Sequence, residues 1–345
     1  MPSQRRTFES RIDYSLLLPV LLLLSIGVTA IYIAVSHDYP NNVLQIVGQQ
    51  VVWILLGFLI SFIVMFFNTK FLWKMTPFLY ILGLGLMVLP LVFYSESLVA
   101  STGAKNWVSI RGVTLFQPSE FMKISYILML SRVVVKFLQQ NKNYERTIAL
   151  DLFLIVKLAL YTLPVLLLLA LQSDLGTALV FAAIYCGIVL LSGVSWKIIL
   201  PVFLTVSLLF TVFMLIFISN GGRAFLHGLG MPTYQINRIS AWLHPFEYAQ
   251  TVTYQQAQGQ IAIGSGGLLG QGFNVSNLLV PVRESDMIFT VIAEDFGFLG
   301  SSLVIVIYLF LIHRMLQITI KSNNQFYTYI STGLIMMLLF HIFEN

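Results

Sequence analysis

The chain has 345 residues, of which 58% are hydrophobic and only 10% charged, and its formal net charge is +5. A soluble chain averages about 25% charged and about 45–50% apolar residues, so this composition excludes a water-soluble globular protein and indicates a polytopic membrane protein. The single cysteine, Cys186, excludes a disulfide framework. Lys and Arg form no patch interleaved with aromatic residues, so the charge does not indicate a nucleic-acid partner.

Nine apolar segments are predicted to cross a bilayer, for which an α-helix needs about 20 residues. In chain order they are 14–35, 47–67, 71–93, 118–137, 152–171, 175–191, 198–218, 286–312 and 327–343. The first follows Arg5, Arg6 and Arg11, as a signal peptide would, but its apolar run is too long for one and predicts a retained helix. We therefore predict an all-α polytopic fold, with residues 1–345 forming a single membrane domain.

The positions of the cations predict the orientation of the chain, because cytoplasmic loops carry an excess of Lys and Arg. With a cytoplasmic amino terminus, the inner loops and helix ends hold most cations: Lys70, Lys74, Arg132, Lys136, Lys142, Arg146, Lys157, Lys197, Arg314 and Lys321. The outer side then holds five: Lys105, Arg111, Arg223, Arg238 and Arg283. These five lie in two polar, glycine-rich loops, 95–117 and 220–285, which predicts an outward-facing site for an anionic ligand.

The first outer loop and the helix after it read GAKNWVSIRGVTLFQPSEFMK. Glu120 falls in the first turn of the helix and stands three residues before Lys123, so the two side chains share a face and are expected to pair. One interpretation is a well-capped helix start with a buried ion pair; the other is a functional pair, since Lys123 falls inside the span. Trp107 and Arg111 could serve as anchors at the membrane interface.

The short turn QSDLGT lies between two predicted spans and contains Asp174. Local sequence favours a structural role, in which Asp174 begins the next helix and Ser173 caps it. The shortness of the turn keeps Asp174 near the hydrocarbon boundary, so a functional role stays open.

The long outer loop contains a segment, 253–263, whose pattern predicts a helix lying in the membrane interface. Five glycines follow, Gly264, Gly266, Gly267, Gly270 and Gly272. They predict a backbone able to approach a ligand closely, although neither a phosphate-binding P-loop nor a dinucleotide fingerprint is present. Arg238 and Arg283 are candidates to provide charge for a phosphate group.

Asp286, Glu294 and Asp295 interrupt the next apolar run, and ionisable residues at membrane depth indicate a functional site or its support. Asp286 is predicted to open the helix at the outer surface, on one stripe with the small residues Thr290, Ala293 and Gly297. A simple helix-capping carboxylate is the alternative interpretation. The polar loop upstream favours a functional one.

Five segments in order resemble the SEDS proteins, the RodA/FtsW/SpoVE group: GAKNW…FQPSEFMK, QSDLGTALV, YQINRI, YQQAQGQIAIGSGGLLGQG and ESDMIFTVIAEDFGFLG. The opening RIDYSLLLPVLLLLSIGV is more similar to RodA than to FtsW. The resemblance implies about nine of the ten transmembrane helices of that fold, and we expect this chain to be truncated after FHIFEN. It also implies a large extracellular loop and a bacterial cytoplasmic membrane location.

The resemblance implies a peptidoglycan glycosyltransferase that polymerises lipid II into a nascent glycan for elongation and cell shape. Expected partners are a class B penicillin-binding protein and elongation-complex membrane proteins. The resemblance assigns the catalytic role to Asp286, directly or while holding a divalent cation (Mg²⁺ or Mn²⁺). It assigns substrate-binding or supporting roles to the following residues: Trp107, Glu120, Lys123, Asp174 and Arg238.

Two other functions are compatible with the composition. A lipid II flippase would also place charges inside the membrane, but it would tend to show internal repeats with broken helices at the midplane, and no repeat is visible. A non-catalytic scaffold for the penicillin-binding protein would account for the apolar helices but not for the polar loop before Asp286.

Overall fold

The computed structural model describes residues 12–96, 99, 103–110, 113–219, 221–231, 233–247, 253–273, 275, 278 and 280–344. These residues form mostly helices, as predicted. The helices are α1 (Tyr14–Asp38), α2 (Val43–Val64), α3 (Thr69–Val92), α4 (Pro118–Gln140), α5 (Ile148–Gln172), α6 (Leu175–Leu191), α7 (Trp196–Ile218), α8 (Gly222–Gly228), α9 (Thr233–Leu243), α10 (Tyr254–Ser265), α11 (Ile288–Lys321) and α12 (Gln325–Glu344).

Seven of the described helices are long and apolar enough to cross a membrane: α1, α2, α3, α5, α7, α11 and α12. A shorter apolar helix, α6, has 17 residues. The remaining predicted span, 118–137, corresponds to α4, which is long enough to cross a membrane at 23 residues but is less apolar than the others. The chain is a multi-pass helical membrane protein.

Contacts divide the chain into two compact units. The first comprises residues 1–64, 202–312 and 345, and the second comprises residues 65–201 and 313–344. The single membrane domain over residues 1–345 stays a prediction.

Helix α4 lies at the centre of the second unit, where it packs against α3, α5, α6 and α12. Fifteen of its 23 residues are buried, including the large side chains Met122 and Tyr126. Protein therefore covers most of this helix, which explains why it can carry Lys123, Ser125 and Ser131: each finds a hydrogen-bond partner in the protein instead of lipid.

The second unit also contains a short β-hairpin that the sequence did not predict. Strands β1 (Val108–Ile110) and β2 (Val113–Phe116) pair antiparallel. The amide of Ser109 donates to the carbonyl of Phe93 (3.0 Å), which ties the hairpin to the end of α3. Backbone groups of this polar loop thereby find partners just before α4 begins.

In the first unit, the second half of α1 packs on α11. Ala30, Ile33 and Ala34 form one buried cluster with Val291 and Ile292. Helix α2 packs against α1 but contains no buried residue. A separate cluster joins α7, α8 and α9 through the following side chains: Phe217, Leu226 and Ile236.

Helix α11 is broken at Gly297, whose φ of 65° and ψ of −159° are not helical. In an unbroken helix the amides of Phe298 and Leu299 would bond to the carbonyls of Glu294 and Asp295. A loop of residues 266–272, called the glycine loop here, supplies partners for all four groups. The bonds are Phe298 N to Gly267 O (2.9 Å), Leu299 N to Leu268 O (3.2 Å), Gln271 N to Glu294 O (2.9 Å) and Gly272 N to Asp295 O (3.2 Å).

This exchange of hydrogen bonds explains how a helix can break inside an apolar segment. Free backbone groups are costly in lipid, so a break is tolerated where other protein groups satisfy them. The break divides α11 into a short helix, 288–296, and a longer helix, 298–321, and Asp286 lies just before the short one.

Candidate functional site

Asp286 lies in a turn of residues 281–287 in the first unit, and its side chain is exposed. The hydroxyl of Ser285 donates to its Oδ1 atom at 3.3 Å. The helix starts two residues later, at Ile288, so Asp286 precedes the helix that it was predicted to open. Its carboxylate is therefore accessible at the end of an apolar segment, as a reactive group must be.

Arg283 holds this turn from its upstream side. Its guanidinium donates two hydrogen bonds to the carboxylate of Asp38 at the end of α1, at 2.7 Å and 3.1 Å. It also lies 3.6 Å from Glu294 in the short helix of α11. Arg283 is 3% exposed, so the sequence-based idea that it offers its charge to a phosphate is wrong: its charge already serves two carboxylates.

The surroundings of Arg283 contain more carboxylates than cations. Glu294 and Asp295 are both buried. Three buried carboxylate oxygens lack a hydrogen-bond partner among the described residues: Glu284 Oε2, Glu294 Oε1 and Asp295 Oδ2. The charge of Glu284, followed by burial and the charge of Asp38, raises the pKa of the Tyr39 phenol above its ordinary value. The turn that carries Asp286 is thus attached to a buried region in which carboxylates outnumber cations.

Helix α10 and the glycine loop pack closely against the short helix of α11 and the residue before it. A Cβ atom added to Gly259 of α10 would lie 2.3 Å from Met287 and 3.3 Å from Thr290. A Cβ atom at Gly266 would lie 1.9 Å from the carbonyl oxygen of Ala293. The predicted stripe of small residues therefore does permit close packing, because the partner is the glycine-rich backbone itself.

The glycine loop has a different role from the one its sequence suggested. A Cβ atom at Gly270 would lie 2.1 Å from the carbonyl oxygen of Asp295, and one at Gly297 would lie 2.3 Å from the amide nitrogen of Gly270. The close approach predicted from these glycines occurs, but at Gly266 and Gly270 it is made to protein backbone and not to a ligand.

Two of the cations predicted to face outward are Arg111 and Arg238. Arg238 lies in α9, in the same unit as Asp286, but its side chain lies outside the described residues, as does Arg111. The role of Arg238 in holding substrate stays a prediction.

The predicted pair in α4 of the second unit is present. Lys123 Nζ lies 2.9 Å from Glu120 Oε2; the lysine side chain is 3% exposed and the glutamate 60%. Lys123 Nζ also lies 2.8 Å from His341 Nε2, and the other ring nitrogen of His341 lies 3.5 Å from Glu344. Because an ammonium group only donates, His341 must accept through Nε2. Sequence reasoning missed this histidine, although an ionisable residue in the last apolar run was the available signal.

Asp174 of the second unit is buried and accepts several hydrogen bonds. It caps α6 by accepting from the amide of Thr177 (3.1 Å). The sequence had suggested Ser173 as the cap, and that prediction is wrong. Ser173 instead ends α5 in a left-handed conformation. The remaining donors to Asp174 are the Thr177 hydroxyl (2.8 Å), Asn106 Nδ2 (2.9 Å) and Gln117 Nε2 (3.5 Å).

Asp174 therefore joins the outer loop of residues 103–117 to the α5–α6 turn. The amide of Lys105 strengthens this link by donating to the carbonyl of Gln172 (2.8 Å). Trp107 is next to Asn106 and is 40% exposed, as an interface anchor or a ligand contact would be. Asn106 was missed by sequence reasoning, because an asparagine in a loop carries no signal of its distant partner.

A metal at Asp286 also stays a prediction. Among the described residues, no three His, Cys, Asp or Glu side chains form a group that could hold an ion by themselves. Mg²⁺ is often bound by one or two carboxylates together with the phosphates of a substrate, which the exposed carboxylate of Asp286 would permit.

The sequence model of the FtsW/RodA/SpoVE family, described as a family of cell cycle proteins, matches residues 14–345. The chain belongs to this family. The chain is 29% identical to the peptidoglycan glycosyltransferase MrdB of Escherichia coli K12, over 99% of this chain and 85% of that protein. It is 30% identical to the probable peptidoglycan glycosyltransferase FtsW of Hydrogenovibrio crunogenus, over 91% of this chain and 75% of that protein.

Solved structures agree with the helical membrane fold of the family. One is a chain of a peptidoglycan synthase complex that coordinates polymerisation and crosslinking, with a TM-score of 0.71 and 24% identity over 94% of this chain and 83% of that one. Another is the rod shape determining protein RodA of Thermus thermophilus, with a TM-score of 0.61 and 24% identity over 99% of this chain and 85% of that one. At this identity the likeness shows the fold.

Proposed function

We propose that this protein is a peptidoglycan glycosyltransferase that polymerises lipid II at the outer face of the bacterial cytoplasmic membrane. The observation that carries the proposal is the exposed carboxylate of Asp286 on a turn that Arg283 anchors to α1. The relatives named above as peptidoglycan glycosyltransferases support the substrate class.

Asp286 acts as the general base in the proposed reaction. It removes the proton from the 4-hydroxyl of the acceptor sugar while that oxygen bonds to the anomeric carbon of the donor. The bond from the anomeric carbon to phosphate breaks, and undecaprenyl pyrophosphate leaves. This single displacement inverts the anomeric centre. An activated phosphate leaving group needs less acid assistance than a sugar, so a second carboxylate acting as an acid is not required.

Rigid placement of the base is the contribution of the fold. Arg283 fixes the turn on one side, and the start of α11 packs on α10 on the other. A base held in position avoids the entropic cost of ordering it in each turnover. Arg238, in the same unit, is proposed to offset the charge growing on the pyrophosphate.

The deciding experiment uses the purified full chain with labelled lipid II. Asp286→Asn keeps the size of the side chain and removes the base, so we expect polymer formation to fall by about 10²- to 10⁴-fold. Glu247→Gln is the matched control, because it neutralises another exposed carboxylate, in the large loop that precedes Asp286, and it should retain activity within about twofold. Substantial polymerisation by Asp286→Asn would refute the assignment.

The flippase alternative gains one feature from the structure, since a broken transmembrane helix is typical of transporters. At Gly297, however, the glycine loop satisfies the four backbone groups that the break frees, so those groups are not offered to a substrate. Movement of lipid II across liposomes without polymer, unaffected by Asp286→Ala, would support the flippase.

The proposed orientation has a cytoplasmic amino terminus, supported by the distribution of cations along the chain. The proposed partner is a class B penicillin-binding protein, supported by the similar chain found in a peptidoglycan synthase complex. Co-purification with such a protein, and faster polymerisation in its presence, are the expected results. Elongation-complex membrane proteins remain expected partners.

A further inference from the structure

A cavity of about 350 Å³ lies within the second unit, among helices α3, α4 and α5. None of the predicted site residues lines it. Three cations do, Arg132, Lys136 and Lys157, and the remaining lining residues are apolar or aromatic: Pro77, Met129, Val133 and Tyr161. Its size falls within the range of about 300–1,000 Å³ typical of small-molecule sites.

The three cations lack anionic partners in the described part of the chain, where no ion pair joins any of them to a carboxylate. Arg132 donates one hydrogen bond to the carbonyl of Trp73, which leaves most of its five N–H groups for other acceptors. Three like charges lining one cavity repel each other, and positive charge in a membrane protein usually meets a counter-charge. The cavity is therefore suited to an anion.

The depth of the cavity indicates which kind of anion. Arg132 lies eight residues before the end of α4 and Lys157 nine residues after the start of α5, which places both about 12–14 Å from the helix ends. Lys136 lies four residues from the end of α4, or about 6 Å. Basic side chains thus run from the helix end into the span, and long cationic side chains can reach from there towards the phosphates of lipids at the interface.

This end of the unit is also the one predicted to be cytoplasmic, since it carries Lys70, Lys74, Lys142 and Arg146. Anionic phospholipids attract basic segments at the cytoplasmic leaflet, and basic pockets between transmembrane helices on that side bind their headgroups. The apolar lining residues can contact the first part of an acyl chain. A freely diffusing phosphate would gain nothing from them.

We propose that this cavity binds the phosphodiester headgroup of an anionic glycerophospholipid, held by Arg132, Lys136 and Lys157. The bound lipid neutralises the three cations and fills the space between α3, α4 and α5. It would thereby stabilise the second unit without taking part in polymerisation. The proposal does not depend on the role of Asp286.

Native mass spectrometry of the purified full chain tests the proposal. The chain is mixed with phosphatidylglycerol, with phosphatidylcholine of the same acyl chains, or with inorganic phosphate. Phosphatidylglycerol should bind at least about tenfold more tightly than phosphatidylcholine. Its binding should weaken by about fivefold with Lys136→Gln or Lys157→Gln and by about 100-fold when all three cations are replaced.

Lys142→Gln is the matched control, because it removes an exposed cation from the same end without altering the cavity lining. It should leave binding within about twofold. Replacing Arg132 would also remove its hydrogen bond to Trp73 and could disturb the packing of α3 and α4. Lys136→Gln and Lys157→Gln avoid that effect and test the cavity by themselves. An equal effect of Lys142→Gln, equal binding of the two lipids, or displacement of the lipid by inorganic phosphate would each overturn the proposal.

Discussion

Four glycines near the broken helix differ in how closely they are packed and in whether their φ is positive. The same substitution, Gly→Ala, at each of them can therefore separate the effect of close packing on stability from the effect of backbone strain. Gly264 lies in α10 with open space around it, and Gly267 has a φ of +54° with open space around it. Gly266 has an ordinary helical φ of −65° but a Cβ atom there would meet the carbonyl oxygen of Ala293 at 1.9 Å. Gly270 combines both features, with a φ of +86° and a contact of 2.1 Å.

The expected losses follow from these differences. Gly264→Ala should be neutral or stabilise by up to about 1 kcal/mol, because alanine favours a helix. Gly267→Ala should cost about 1–2 kcal/mol for the left-handed conformation alone. Gly266→Ala should displace the glycine loop and disturb four backbone hydrogen bonds, each contributing about 0.5–1.5 kcal/mol, for a loss of about 2–6 kcal/mol. Gly270→Ala should combine both costs, about 3–8 kcal/mol.

The assay is unfolding of the purified protein by SDS in mixed micelles, compared among the four variants. The expected order of stability is Gly264→Ala first, then Gly267→Ala, Gly266→Ala and Gly270→Ala. Equal stability of Gly264→Ala and Gly266→Ala would refute the packing of the glycine loop against α11. A loss from Gly267→Ala as large as that from Gly266→Ala would mean that strain, and not contact, dominates.

Three further predictions concern the polar contacts. Arg283→Gln should lower kcat of polymerisation more than it raises KM, because it releases the turn of the base while leaving the base in place; Asp38→Asn should do the same to a smaller extent, and unchanged kinetics in both would show that the turn needs no anchor. His341→Ala should destabilise the protein by about 1–3 kcal/mol in SDS unfolding, because it removes an acceptor from the buried ammonium of Lys123, and Lys123→Met should relieve that loss; an additive double variant would contradict the contact. Asp174→Ala should cost about 1–2 kcal/mol or more for the lost cap, and Asp174→Asn, which keeps an acceptor oxygen, should recover part of it; equal losses would mean that the cap contributes little.

The apolar runs were sufficient to predict the helices of the membrane region. Each of the nine predicted spans corresponds to a helix, with ends that differ by at most four residues, except that α11 continues nine residues beyond the predicted end at 312. This works because about 20 apolar residues are needed to cross lipid and every backbone group must be satisfied within the segment. The break at Gly297 was not predicted because the backbone groups that permit it lie in the glycine loop, far upstream in the chain. A glycine in a helical pattern does not reveal such partners.

The polar residues of the site were predicted by type but only partly by contact. Glu120 and Lys123 were paired correctly, because a spacing of three residues places two side chains on one helix face. Arg283 was a candidate to provide charge for a phosphate, and in the structure it pairs instead with Asp38, 245 residues away. Spacing along a helix specifies near neighbours, and it contains no information on a partner from another helix.

By itself, the sequence determined that this chain is a helical membrane protein, where its spans lie and which loops are polar, because lipid imposes length and polarity on every segment. The tertiary structure decided which of the buried charges are already paired, which helix is mostly buried by protein, and that the glycine loop completes a broken helix. Those outcomes depend on contacts between residues far apart in the chain, and such contacts are set by packing in three dimensions.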